Sequence, residues 1–159
     1  MMENTIVVGI SDLNVAFRPD MLITYALGSC VGLCLYDGVM GVAGMSHILL
    51  PESSLCPSDA NFMKFADTAV PALIQRMEKA GASRTRIVAK MAGGARLFGG
   101  NTGINIGERN VLAVKEQLSK FRIPLVAEDT GRDYGRTVEF FANDGAINIK
   151  TALRGVKTL

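Results

Sequence analysis

Apolar positions recur along this chain in two rhythms. Short runs rich in β-branched and aliphatic residues occupy residues 4–10 (NTIVVGI), 21–27 (MLITYAL), 31–36 (VGLCLY) and 41–50 (GVAGMSHILL), and each predicts a strand. Residues 15–17 predict one more short strand between a turn at 11–14 and the turn residues Arg18-Pro19-Asp20. Asp37-Gly38 joins the third and fourth long runs and predicts a hairpin. The second rhythm begins near Asp59, where Phe62, Phe65, Ala66, Ala69, Val70, Leu73, Ile74 and Met77 fall on one stripe of a helix over 59–80. Ser58 or Asp59 would cap its start and Gly81 its end, with a kink or break at Pro71. Residues 86–91 predict a strand, and about 107–120 a second helix capped by Asn105 with Val111, Val114, Leu118 and Phe121 inward. A buried strand at 123–127, a turn at 128–133 and a hairpin of 136–142 with 146–150 around Asn143-Asp144-Gly145 complete the reading. Many strands with two long helices, and no repeat or linker, predict a single α+β domain over 1–159 with mixed or antiparallel sheets.

The hairpin carries the candidate chemistry. Cys30 follows a Gly28-Ser29 turn, and the chain's single histidine, His47, lies on the returning strand. A loop of residues 37–40 pairs Tyr36 with Gly41 and sets Cys30 directly opposite His47; a two-residue Asp-Gly loop leaves them diagonal neighbours on the same face. Either register brings a thiol near an imidazole. A free cysteine is commonly a small buried hydrophobe. A turn before the strand, however, can expose the sulfur and aim the backbone N–H groups of Ser29 and Cys30 at a developing oxyanion. An imidazolium at His47 would draw Cys30 toward the thiolate and then serve as general acid. Thr24, on the strand before the turn, offers a hydroxyl to orient the imidazole, although β-branched residues are also ordinary strand formers. Cys34 reads as packing and Cys56 as a loop thiol. The glycines of 92–107 match neither GxGxxG nor GK[ST] and read as tight turns and close backbone approach beside a site. Glu128-Asp129 reads as a solvated pair, with Arg132 and Arg136 as available partners.

Composition narrows the setting. A net charge of +2 without a basic run argues against nucleic acid or an anionic membrane surface as the partner. The start, Met1-Met2-Glu3-Asn4, lacks the basic opening of a signal peptide, and no apolar segment reaches the ~20 residues that span a bilayer. Three cysteines, an odd number, argue against a disulfide framework and for a cytoplasmic chain. With one histidine they also lack the paired spacing of a zinc site, so neither metal nor cofactor is expected.

Six segments, in order, resemble the CheD family of chemoreceptor glutamine deamidases: LGSCVGLCLYD (27–37), SHILLP (46–51), FADTAV (65–70), AKMAGGARLF (89–98), NIGERNVLAV (105–114) and AEDTGR (127–132). The resemblance implies a cysteine hydrolase that converts selected receptor glutamines to glutamate and releases ammonia through a thioester. It maps catalytic roles onto Cys30, His47 and Thr24. It implies stacked β-sheets with helices outside, like the deamidating bacterial toxins. The implied partners are the cytoplasmic domains of chemoreceptors and CheC-type phosphatases. The family often carries a second glycine after AEDTG, where this chain has Arg132. Two other functions fit the same residues: a non-catalytic module that regulates a CheC-type phosphatase or the receptors by binding, and an amidase for small molecules.

Overall fold

Two five-stranded sheets lie face to face, and both helices cover the outer face of one of them. The computed structural model describes residues 3–97 and 105–159. In chain order the elements are β1 (Thr5–Val7), β2 (Leu13–Phe17), β3 (Met21–Leu27), β4 (Val31–Asp37), β5 (Val42–Ile48), α1 (Ala66–Lys79), β6 (Val88–Gly93), α2 (Ile106–Lys120), β7 (Leu125–Thr130), β8 (Arg136–Phe141), β9 (Ile147–Thr151) and β10 (Gly155–Thr158). One sheet runs β1-β3-β8-β9-β10 and the other β2-β5-β4-β6-β7. Each is mixed, because β1 runs parallel to β3 and β7 parallel to β6. This is the expected α+β domain, with two helices on the outside.

The alternation along β4 sorts its side chains into two cores. Val31, Leu33 and Leu35 face the helices and join Leu73, Ile74, Met77, Val111, Val114 and Leu118. Cys34 and the preceding Cys30 face the other sheet, among Met45, Leu22, Leu27, Val138 and Phe140. Strand β4 is buried on both faces because it is central to its sheet and that sheet is the middle layer.

Several boundaries differ from the sequence reading for local reasons. The first helix starts at Ala66, not near Asp59. Residues before it are held in turns: Asp59 accepts from the Asn61 N–H at 2.9 Å, and Asn61 accepts from the Met63 N–H at 3.0 Å. Such side-chain bonds to local backbone compete with a helix, so neither Ser58 nor Asp59 caps it. The helix runs on through Pro71 without a break; its stripe Ala66, Ala69, Val70, Leu73, Ile74 and Met77 is buried as predicted. Burial of that stripe outweighs the one backbone bond that proline removes. Residues 11–14 are not all turn, since β2 begins at Leu13, and 128–130 belong to strand β7. Strand β10, polar and fully exposed, carries no apolar pattern that would reveal it. Asn105 does cap α2, accepting from the Glu108 N–H at 3.1 Å.

Arg132 explains its own oddity. Its φ is +63, directly after Gly131 at +81, so the chain here takes two left-handed residues in succession. A non-glycine residue there costs roughly 1–2 kcal/mol. Glycine's greater freedom when unfolded returns about 0.5–1 kcal/mol of that. Arg132→Gly is therefore expected to stabilise the fold by up to about 1 kcal/mol, read as a higher urea midpoint at unchanged m-value. A lower midpoint would mean that contacts of the arginine side chain outweigh its strain.

Candidate functional site

The turn between β4 and β5 sets the relation of Cys30 to His47. Asp37 does not enter the loop; it is the last residue of β4 and pairs with Val42. Its carboxylate is wholly buried and accepts from the N–H groups of Val39 and Met40, from Ser83 N–H at 2.9 Å, and from Arg86 at 2.9 Å. The left-handed turn residue is Gly41, at φ +65, not Gly38. The register moves accordingly, and the residue opposite His47 is Gly32, not Cys30. Direct pairing of Cys30 with His47 is thus corrected. Cys30 lies two positions before Gly32, so the two residues share a face as diagonal neighbours.

Thr24 reaches the site from the opposite sheet. It sits on β3, wholly buried, and its Oγ1 lies 2.6 Å from His47 Nδ1. Gly32, opposite His47, leaves room for Leu27: a Cβ there would come within 2.9 Å of the Leu27 side chain. The tautomer of His47 follows from counting protons. Thr24 Oγ1 donates to the Val8 carbonyl at 2.8 Å, and a hydroxyl has one proton while a carbonyl has none. Oγ1 must then accept from Nδ1–H, which leaves the lone pair on Nε2. Nε2 is buried and has no hydrogen-bond partner among the described residues. An imidazole held in this way takes a proton on Nε2 and nowhere else.

Burial sets the charge of both groups. It lowers the His47 pKa to about 4, and it raises that of Cys30 against a smaller opposing effect of the residue's own backbone N–H. Burial thus favours the neutral form of both groups, a thiol and an imidazole, over the imidazolium that the sequence suggested. A consequence for stability follows. Folded His47 binds its proton more weakly than an unfolded histidine near 6.5, so the unfolded state takes up the extra proton between those values. The stability that neutral His47 supplies is complete above about pH 6.5 and is lost as pH falls toward 4. His47→Gln is expected to flatten the acid limb of the urea-midpoint profile in that window. An acid limb identical to wild type would show that His47 is not held neutral.

The backbone around Cys30 is fixed by the segment after β6. Gly94 N–H donates to the Cys30 carbonyl at 2.8 Å, and Ala95 N–H to the Gly28 carbonyl at 2.9 Å. Gly93 and Gly94 thus provide the close approach expected of the glycine-rich stretch, whereas Gly99, Gly100 and Gly103 lie outside the described residues. Cys34 is buried packing and Cys56 a half-exposed loop thiol, as expected. Glu128 and Asp129 are not a solvated turn: they lie on β7 and pair with Lys115 at 3.1 Å and Arg136 at 3.5 Å. Among the described residues no group of three His, Cys, Asp or Glu side chains could hold a metal ion. Sequence reasoning missed Asn110, buried on α2 with its amide on the carbonyls of Ser29 and Leu49. Its place one residue from Val111 and four from Val114, on the inward stripe, was the available signal.

Comparison with known proteins shows the family of the chain. The family model described as CheD chemotactic sensory transduction matches residues 49–151. A Caldanaerobacter subterraneus protein named probable chemoreceptor glutamine deamidase CheD is 49% identical, covering 98% of this chain and 99% of that one. The chain belongs to the CheD family. Relatives of the same name from Clostridium novyi and Clostridium botulinum are 43% and 47% identical, covering 100% and 96% of both chains in each comparison. The family model begins two residues after His47, but these relatives align across the Thr24, Cys30 and His47 region as well. Among solved structures, the Bacillus licheniformis hypothetical protein YfiH shares the fold at a TM-score of 0.50 and 14% identity. That match covers 75% of this chain and 50% of the other, so the CheD-family chain spans half the length of the YfiH structure. No helix of the described residues is long and apolar enough to cross a membrane.

Proposed function

We propose that this CheD-family chain hydrolyses glutamine side-chain amides of chemoreceptors to glutamate, with Cys30 as nucleophile, His47 as general base and acid, and Thr24 as its orienting partner. The observation that carries the reading is the Thr24–His47 hydrogen bond, which leaves the Nε2 lone pair unpartnered on the face that Cys30 shares. The name that the relatives bear, chemoreceptor glutamine deamidase, supports the substrate class.

The steps balance without a cofactor. The Cys30 thiol passes its proton to His47 Nε2 as the sulfur attacks the carboxamide carbon. With both groups neutral at rest, the transfer accompanies attack and does not precede it. The oxyanion is met by the backbone N–H groups of Ser29 and Cys30, our candidates for that role. His47 returns the proton to the departing nitrogen, ammonia leaves, and an acyl thioester remains. Water then gives a proton to Nε2 and attacks the thioester, and His47 reprotonates the Cys30 sulfur as the glutamate product is released. The substrate domains are cytoplasmic, which places the reaction in the cytoplasm. A CheC-type phosphatase is the regulator we expect, on family resemblance alone.

The test is mass spectrometry of a receptor cytoplasmic fragment incubated with wild-type protein. Conversion of specific glutamine amides to acids, absent with Cys30→Ala, is the expected result. If neither protein converts any glutamine although both bind the fragment, the chain acts as a binding module and the proposal is wrong.

A further inference from the structure

The β4–β5 ladder ends just before the site. Val31 opposite Ile48 is the last pair, and one step further Cys30 and Leu49 would face each other. On the other side of β4 the ladder with β6 carries on one step further, the Cys30 carbonyl accepting from Gly94 N–H. On the β5 side Asn110 makes the link. Its Nδ2 donates to the Ser29 carbonyl at 3.0 Å and to the Leu49 carbonyl at 3.0 Å. One carbonyl belongs to the residue before Cys30, the other to the second residue after His47. The amide's orientation is fixed by these partners, because a flip would set Oδ1 against two carbonyl oxygens. The side chain is wholly buried, and its Oδ1 has no hydrogen-bond partner among the described residues. A buried acceptor left unmatched costs stability, and an apolar residue on this stripe of α2 would not carry that cost.

We propose that Asn110 is a positioning residue for the reaction, its two amide protons clamping Ser29 to Leu49 and so setting the spacing of Cys30 from His47. The inference rests on the assignment of Cys30 and His47 as the reacting pair. The clamp acts where backbone pairing has stopped, and an error in the thiol's position here acts directly on proton transfer and attack. A displacement of about 1 Å at a reacting group can cost a hundredfold in rate.

The test compares wild type, Asn110→Leu, His47→Ala and Cys30→Ala on the receptor fragment, with the fold of each checked by circular dichroism. The expected result for folded Asn110→Leu is kcat lowered by about ten- to a hundredfold with KM within about twofold. A second readout is independent of turnover: the pH profile of iodoacetamide alkylation at Cys30, followed on its own peptide. It is expected to shift in Asn110→Leu toward that of His47→Ala, since both loosen the thiol from the imidazole. A folded variant with unchanged kcat overturns the inference, as does lowered kcat with a wild-type alkylation profile. Should Asn110→Leu not fold, Asn110→Ser, smaller and still polar, is held to the same two criteria. Deamidation by Cys30→Ala would defeat the assignment of the nucleophile and this inference with it. An inactive Cys30→Ala beside a fully active Asn110→Leu would defeat this inference alone.

Discussion

Cys30→Ser is expected to lose at least about a thousandfold in kcat/KM on receptor glutamines while keeping its fold. The substitution changes one atom of the side chain, and burial that raises a thiol pKa raises that of a hydroxyl from a much higher starting point. His47→Ala should fall to a similar level, because nucleophile and base act as one unit and removing either removes the proton transfer. Its loss should lie in kcat, since His47 is buried, away from any surface that binds the receptor, and the proposed mechanism gives it the proton transfers. Thr24→Ala should lose less, on the order of ten- to a hundredfold, because the imidazole then samples both tautomers instead of one. Thr24→Val removes the same hydrogen bond but keeps the β-branched shape, and should match Thr24→Ala in rate while being the more stable of the two. Single-turnover kinetics on the receptor fragment checks this order. Thr24→Ala as inactive as Cys30→Ser, and still folded, would show that Thr24 touches the reacting atoms and does more than orient.

The ranking depends on features that the sequence revealed unequally. The parity of Cys30 and His47 was legible because a strand's period of two survives any even shift in register. Their direct pairing was not, because it depended on which residue the turn takes. Asp37 looks like the first residue of an Asp-Gly turn, yet its buried carboxylate is committed to Ser83 and Arg86 far along the chain, and these partners hold Asp37 at the end of the strand. The α1 stripe was legible down to the residue, while its start was hidden by the side-chain turns of Asp59 and Asn61. Thr24 could be seen to carry a hydroxyl. That it reaches His47 from the opposite sheet is a product of sheet stacking, which no local pattern encodes. Asn110 is the same case in reverse: an inward polar residue whose partners lie 81 and 61 positions away.

Gly93→Ala is expected to damage both the fold and the site, through one atom. Gly93 has φ +112, and a Cβ built on it would lie 2.2 Å from the Cys30 carbonyl oxygen and 3.2 Å from its carbon. The neighbour is backbone, so no rotamer change relieves the contact; either the end of β6 or the Cys30 turn must move. Gly131 separates the two costs, since it also has positive φ, at +81, but a Cβ there meets nothing within 4 Å. Gly131→Ala should therefore cost only the conformational penalty, about 1 kcal/mol. Gly93→Ala should cost roughly 3 kcal/mol or more and drop kcat as well, because the carbonyl it displaces belongs to Cys30, the proposed nucleophile. Urea unfolding and receptor deamidation measured on both variants give the comparison. Equal destabilisation by the two would mean that the Cys30 turn shifts freely, and a thiol on so yielding a turn could not depend on the hydrogen bonds that the Gly94 backbone and the Asn110 side chain make around it.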